Sequence, residues 1–197
     1  MAGKTIYLIR HGQIRSNVED VYAGRTDEEL TESGASQANR LGQEIRDLEI
    51  SVIYTSPLAR TVQTAEIMNA HLRARLIKEC DLLEMDLGPW TGLSKAEVAG
   101  KYPEAYRTWV EAPAEFRFEG METLQGIQER AICVLDKFLK EAPDMIGAIV
   151  THAVIIKCAF LYFNHLPLNA YHKIDVPNLS VHKATFRDGR SRMERIR

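Results

Sequence analysis

At 197 residues, with 45% apolar and 26% charged side chains, the chain carries enough apolar material for a sizeable core, which excludes disordered, collagen-like and coiled-coil classes. Its 25 Lys and Arg stand against 27 Asp and Glu, so the broad positive field of a dedicated nucleic-acid binder is absent and no nucleic-acid partner is expected. Cys80, Cys133 and Cys158 are odd in number and form no C-x-x-C pair, which argues against a disulfide framework or a zinc site and for buried thiols in a reducing compartment. The apolar stretch Ile6 to Ile9 is too short for a signal peptide or a membrane span and ends at Arg10, so the expectation is a cytoplasmic protein without a membrane partner. No repeat or Gly/Ser/Pro-rich tether divides the chain, and a single domain over residues 1–197 is expected.

In chain order, Thr5 to Ile9 is a short apolar run suited to a buried strand. Ala38, Leu41, Ile45 and Leu48 then recur at helical spacing, with Thr31 placed to cap the helix start. Ser51 to Thr55 reads as a second strand, and Pro57 suits the first turn of a following helix. Cys80 to Leu83 is a third apolar run. After Gly88-Pro89-Trp90-Thr91-Gly92, residues about 94–121 read as an insertion over one end of a sheet. Leu124, Ile127, Ala131, Val134 and Phe138 mark a long helix, with Glu122 and Thr123 at its start, where negative charge and side-chain oxygens meet free N–H groups. Gly147 to Thr151 is a further strand. Val181–Phe186 and Arg192–Ile196 flank Arg187-Asp188-Gly189-Arg190, the signature of a hairpin with a two-residue turn. Strands alternating with helices predict an α/β fold whose mostly parallel central sheet ends in an antiparallel pair.

In such folds the loops leaving the C-terminal ends of the strands form the functional crevice. Those loops carry Arg10 and His11, then Arg60, then Glu84, then His152. The set suits phosphoryl transfer through histidine. Two guanidiniums can bind the oxygens of a phosphate monoester and offset the charge that repels a nucleophile. A neutral imidazole can attack phosphorus, the second can hydrogen-bond a transferring oxygen, and Glu84 can protonate the departing alcohol and then activate water.

Leu8-Ile9-Arg10-His11-Gly12, then Asn17, Gly24-Arg25-Thr26-Asp27, Ser56-Pro57-Leu58-Ala59-Arg60, Glu84 with Gly88, Trp90 and Gly92, and Thr151-His152-Ala153 together resemble the histidine phosphatase superfamily, in its cofactor-dependent phosphoglycerate mutase-like branch. The resemblance implies a three-layer α/β/α sandwich, no metal and no further cofactor, with His11 as the phosphorylated residue. It also implies that Arg10, Arg60 and His152 complete a phosphate pocket, that Asn17 adds a contact, that Glu84 serves as acid and base, and that backbone at Gly24 and Ala153 lies near substrate. The chain departs from the family pattern at Ala153, Met121 and Thr91.

The same apparatus serves a phosphatase or a mutase. A mutase must retain a multiply anionic intermediate, yet residues 94–121 hold four Lys and Arg against five Glu, a poor cage for a polyanion. The expected activity is therefore hydrolysis of small phosphorylated metabolites. Mutase activity is the alternative, and a binder that has lost turnover comes third. His71, His165, His172 and His182 lack ligand spacing and read as surface or packing residues. The oligomeric state, a homodimer included, stays open.

Overall fold

A computed structural model describes residues 4–141, 146–187 and 190–197. Its centre is a six-stranded sheet built from β1 (Lys4–Arg10), β2 (Val52–Thr55), β3 (Arg75–Lys78), β4 (Gly147–Thr151), β5 (Val181–Arg187) and β6 (Arg190–Arg195), in the order β3-β2-β4-β1-β5-β6. The pairs β3·β2, β2·β4 and β4·β1 are parallel, while β5 runs antiparallel to β1 and β6 antiparallel to β5. The expected Asp188-Gly189 turn lies outside the described residues.

Both faces of the sheet are covered, and the period-2 alternation of the strands divides the side chains between them. Ile6, Leu8, Val52, Tyr54 and Ile149 join one core cluster, while Tyr7, Ile9, Ile53, Ala148 and Val150 join the other. Helices α2 (Glu32–Glu44) and α3 (Ala59–Leu72) bury Ala38, Leu41, Ala65 and Met68 against the second face. The first face receives α6 (Leu124–Glu141) and α7 (Ala153–Phe163), and every apolar position predicted along α6 is buried there. Burying each such side chain contributes ~1.5–3 kcal/mol, which is why central strands with apolar residues on both faces occupy the middle of the sheet.

Several local expectations are corrected. The Cys80–Leu83 run is not a strand: Cys80–Leu82 is a tight helical turn, and the strand feeding it is β3, whose exposed Arg75 and Lys78 flank Leu76 and Ile77 at a sheet edge. Pro57 precedes the N-cap residue Leu58 instead of entering the first turn of α3. The Asp27 carboxylate, 32 residues upstream, accepts from the Ala59 N–H at 2.7 Å and caps that helix from outside. Leu48 falls beyond α2 in a short 3-10 turn. Thr31 does cap α2, accepting from the Gly34 N–H, and Thr123 accepts from the Gly126 N–H in the first turn of α6. Of the three cysteines only Cys158 is buried; Cys80 and Cys133 are exposed. No described helix is long and apolar enough to cross a membrane.

The segment between β3 and α6 contributes α4 (Lys95–Lys101) and α5 (Pro103–Glu111). Ser94 and Glu97 form a reciprocal capping box at the start of α4. Trp109 of α5 is buried against Phe116 and Tyr171, with ring centroids 5.2 Å apart in each pair, and Trp90 lies among Tyr22, Tyr106 and Phe116. These rings anchor the segment to the rest of the molecule.

Candidate active site

Register brings the loops together. Arg10 pairs with Thr151 and Thr55 with Val150, so β1, β4 and β2 end side by side and deliver His11, His152 and Ser56 to the same edge. A cavity of about 400 Å³ opens there, walled by Arg10, His11, Asn17, Gly24, Arg60, Glu84 and Ala153 among others. His152 stands behind that wall, completely buried, with its ring 5.3 Å from that of His11. Lys95 and Trp109, from the segment between β3 and α6, also line the cavity. A larger groove of about 630 Å³ between α6 and Tyr162 contains none of the residues singled out for chemistry.

The His11 ring is fixed by its neighbours. Its backbone N–H donates to Thr151 O at 3.0 Å, and Nδ1 lies 2.7 Å from the Gly12 carbonyl. A carbonyl can only accept, so Nδ1 carries the proton and Nε2 keeps its lone pair. Gly12 in turn is held by Thr64, whose hydroxyl accepts from the Gly12 N–H at 2.9 Å. Burial, reinforced by the Arg10 and Arg60 charges, pushes the His11 pKa well below the ordinary histidine value, so the ring is neutral.

Each arginine is anchored through its terminal nitrogens. Arg10 Nη1 donates to Val176 O at 2.7 Å, while Arg60 Nη1 and Nη2 donate to Thr26 O at 2.5 Å and Gly24 O at 2.7 Å. Their Nε–H groups are buried without a protein partner, and so is His152 Nδ1. Buried donors are nearly always satisfied, so three unpartnered nitrogens around one imidazole describe a site shaped for an anion that brings its own acceptors. Asn17 extends it. Its Oδ1 accepts from Ile14 N at 3.3 Å and from Asn178 Nδ2 at 3.0 Å, which orients its Nδ2–H₂ as the free donor end.

Gly24 has φ of +52°, which L side chains rarely adopt, and a Cβ there would lie 2.9 Å from Thr91 Oγ1. That turn aims the Gly24 carbonyl at Arg60. Gly34 is required for space: its α-carbon abuts the Gln13 backbone directly behind His11-Gly12.

Glu84 enters from the turn after β3. Its Oε1 accepts from the Met85 N–H at 2.8 Å. Burial raises its pKa above the ordinary carboxylate value, against the lowering influence of that hydrogen bond and of Arg60, Arg10 and Arg130. A carboxyl group with a raised pKa and a neutral imidazole thus line the same cavity, the two partners an acid and a nucleophile require.

Side chains to which the sequence assigned no part in this loop hold it. Arg130 of α6 donates to the carbonyls of Asp81 (2.7 Å), Leu83 (2.6 Å) and Glu84 (3.3 Å) and forks onto Glu122 at 3.2 and 3.0 Å. Arg25 donates to the same Glu84 carbonyl at 3.0 Å and pairs with Glu122 at 3.0 Å. Glu122 thus serves the acid loop, also accepting from Asp86 N at 2.8 Å, and leaves the helix start to Thr123. Asn178, likewise unsignalled, donates to His11 O at 3.0 Å. The spare histidines are accounted for otherwise: His71 bonds Asn39, His172 bonds the Trp109 carbonyl, and His182 is buried in β5. No cluster of three or more His, Cys, Asp or Glu among the described residues could hold a metal ion.

Comparison with known families matches residues 6–197 to the histidine phosphatase superfamily, branch 1. The chain belongs to this superfamily. Among histidine phosphatase relatives, Phosphoserine phosphatase 1 of Hydrogenobacter thermophilus is 33% identical over 175 residues, covering 89% of this chain and 83% of that one. A protein of Salmonella choleraesuis named as a probable phosphoglycerate mutase is 27% identical over 186 residues, covering 93% and 85%. Of solved structures, Bacillus stearothermophilus YhfR superimposes with a TM-score of 0.92 at 29% identity, covering 98% of this chain and 96% of that one. The α/β architecture is shared with it.

Proposed function

We propose that the chain is a phosphatase that hydrolyses small phosphate monoesters through a phosphohistidine at His11. The observation that carries this reading is the trio of buried, unpartnered nitrogens, Arg10 Nε, Arg60 Nε and His152 Nδ1, around an imidazole whose Nδ1 proton is already given to Gly12 O. A phosphoryl group placed among them has its oxygens neutralised and its phosphorus presented to His11 Nε2. Asn17 and the backbone at Gly24 and Ala153 complete the binding wall.

In the first step the Nε2 lone pair attacks phosphorus, the P–O ester bond breaks, and the Glu84 carboxylic acid gives its proton to the leaving oxygen. The Gly12 carbonyl stabilises the positive charge that the phosphorylated ring acquires. In the second step the Glu84 carboxylate takes a proton from water, the resulting hydroxide attacks phosphorus, and the P–N bond breaks to return neutral His11 and inorganic phosphate. Glu84 supplies the acid and the base, His11 the first nucleophile and water the second.

Residues 94–121 we read as the cover that meets the leaving group, within one domain of 197 residues. Lys95 and Asp20 both line the cavity, paired at 2.9 Å. Those opposite charges match the carboxylate and ammonium of a phosphorylated amino acid such as phosphoserine, the substrate in the name of the Hydrogenobacter relative. The mutase reading is weaker here because the cover is not basic and its cavity-lining lysine is already paired. The two exposed free thiols, Cys80 and Cys133, support a cytoplasmic location, since a surface thiol persists in a reducing compartment.

The test is phosphate release from a panel of monoesters by wild type and His11→Ala. Replacing the nucleophile lowers kcat by several orders of magnitude, because uncatalysed monoester hydrolysis is exceptionally slow. Equal rates in the two proteins would mean a binder, and rapid interconversion of 2- and 3-phosphoglycerate with little phosphate release would mean a mutase.

A further inference from the structure

The two ring nitrogens of His152 are in opposite circumstances. Nε2 lies 2.9 Å from the Ser56 hydroxyl, whereas Nδ1, equally buried, has no partner in the protein. Burial, together with the Arg60, His11 and Arg10 charges, keeps this ring neutral, so it holds one N–H and two tautomers are conceivable. If Nε2 carried the proton and donated to Ser56 Oγ, the serine proton would have no acceptor within its buried setting. The Nδ1 lone pair would likewise have no donor, and would repel any phosphoryl oxygen that arrived. If Ser56 O–H donates to Nε2 instead, the one unsatisfied group is an Nδ1–H, and a phosphoryl oxygen satisfies it.

We propose that Ser56 is a positioning residue of the phosphate site: its hydroxyl donates to His152 Nε2 and thereby selects the Nδ1–H tautomer that offers a hydrogen bond to the phosphoryl group. The surroundings fit this task. Ser56 N–H continues the sheet by donating to Val150 O at 3.1 Å, and the Ser56 carbonyl accepts from Thr61 Oγ1 at 2.9 Å and Thr55 Oγ1 at 3.1 Å. With the backbone held on both sides and the side chain fully buried, rotation of one hydroxyl is the remaining freedom, and the imidazole nitrogen takes it up. The arrangement makes the second histidine an uncharged donor, leaving proton delivery to Glu84. Such tautomer control by the partner of the opposite ring nitrogen is a general property of imidazole sites.

The inference rests on the proposed phosphate chemistry, and a histidine-selective ¹⁵N NMR spectrum of the whole protein tests it, with His152 assigned by its loss in His152→Gln. Wild type shows the Nδ1–H form, and inorganic phosphate perturbs that resonance. Ser56→Ala shows a mixture of tautomers or the Nε2–H form and binds inorganic phosphate about tenfold more weakly, a change of about 1.4 kcal/mol. Ser56→Cys, near in size and a weak donor, falls between them and serves if the alanine variant does not fold. An Nε2–H form in wild type overturns the proposal, as does unchanged Nδ1–H with unchanged phosphate affinity in Ser56→Ala. Wild type that binds no phosphate and hydrolyses no ester overturns the phosphatase reading instead, whatever the tautomer.

Discussion

His11 and Glu84 are pushed in opposite directions by their surroundings, and the sign of each shift fixes a limb of the pH profile. The His11 pKa lies well below 6.5, so the nucleophile is already unprotonated in mildly acidic solution and the rising limb of kcat/KM falls well below pH 6.5. The Glu84 pKa lies above 4.5, and the falling limb follows its deprotonation as pH rises. The expected profile is a bell whose rising limb lies below the ordinary histidine value and whose falling limb lies above the ordinary carboxylate value, read from kcat/KM against pH. Glu84→Gln abolishes the falling limb and lowers kcat for alkyl phosphates about 10²–10⁴-fold. The loss is much smaller with p-nitrophenyl phosphate, whose leaving group needs no proton; equal losses on both esters would remove Glu84 from the acid role. At Gly24 the constraint is backbone: Gly24→Ala forces a positive φ on a side chain that also meets Thr91, and the displaced Arg60 raises KM for any monoester about tenfold or more, measurable in steady-state kinetics. The need for glycine at position 24 was not visible in the residues around it, because φ depends on where Arg60 must be met.

At the scale of elements, the acid loop depends on two strangers to it. Arg130 lies 46 residues beyond Glu84 in sequence, yet it binds the carbonyls of Asp81, Leu83 and Glu84 and shares Glu122 with Arg25. Arg130→Gln keeps some hydrogen bonding but loses the fork, and the expected result is kcat lower by about 10–100-fold with KM changed little, since a displacement near 1 Å can have that effect. A variant with wild-type kcat would show that the loop holds its shape through Arg25 and Met85 alone. The α6 stripe was readable because its period is local. Arg130 sits between stripe positions, where a charged residue is ordinarily solvated, and nothing local marks it. The third apolar run misled for the complementary reason: the edge strand β3 is short and ends in charged residues, while Cys80–Leu82 forms a helical turn that buries Leu82 and leaves Cys80 exposed.

At the scale of the molecule, burial of neutral histidines ties stability to pH. His182 in β5, paired across from Leu8 and 1% exposed, has its pKa pushed down to about 4 by burial, with Arg195 adding to the shift and Asp175 opposing it. An unfolded histidine titrates near 6.5, so the unfolded state takes up a proton first. The His182 contribution is complete above pH 6.5 and is lost as pH falls toward 4, a change of about 3 kcal/mol at about 1.4 kcal/mol per pKa unit. Urea midpoints at pH 7 and pH 4 should therefore converge in His182→Asn relative to wild type; identical pH sensitivity would show that another group carries the effect. What the amino-acid order determined by itself was five of the six strands, the helices α2, α3 and α6, and the short list of strand-end residues, because side-chain period and turn chemistry act over a few neighbours. The tertiary structure alone decided the strand order β3-β2-β4-β1-β5-β6, the contact of Ser56 with His152, and the grips of Arg130, Arg25 and Asn178. Those are contacts between segments far apart in the chain, and their energies exist only once packing has brought the partners within hydrogen-bond reach.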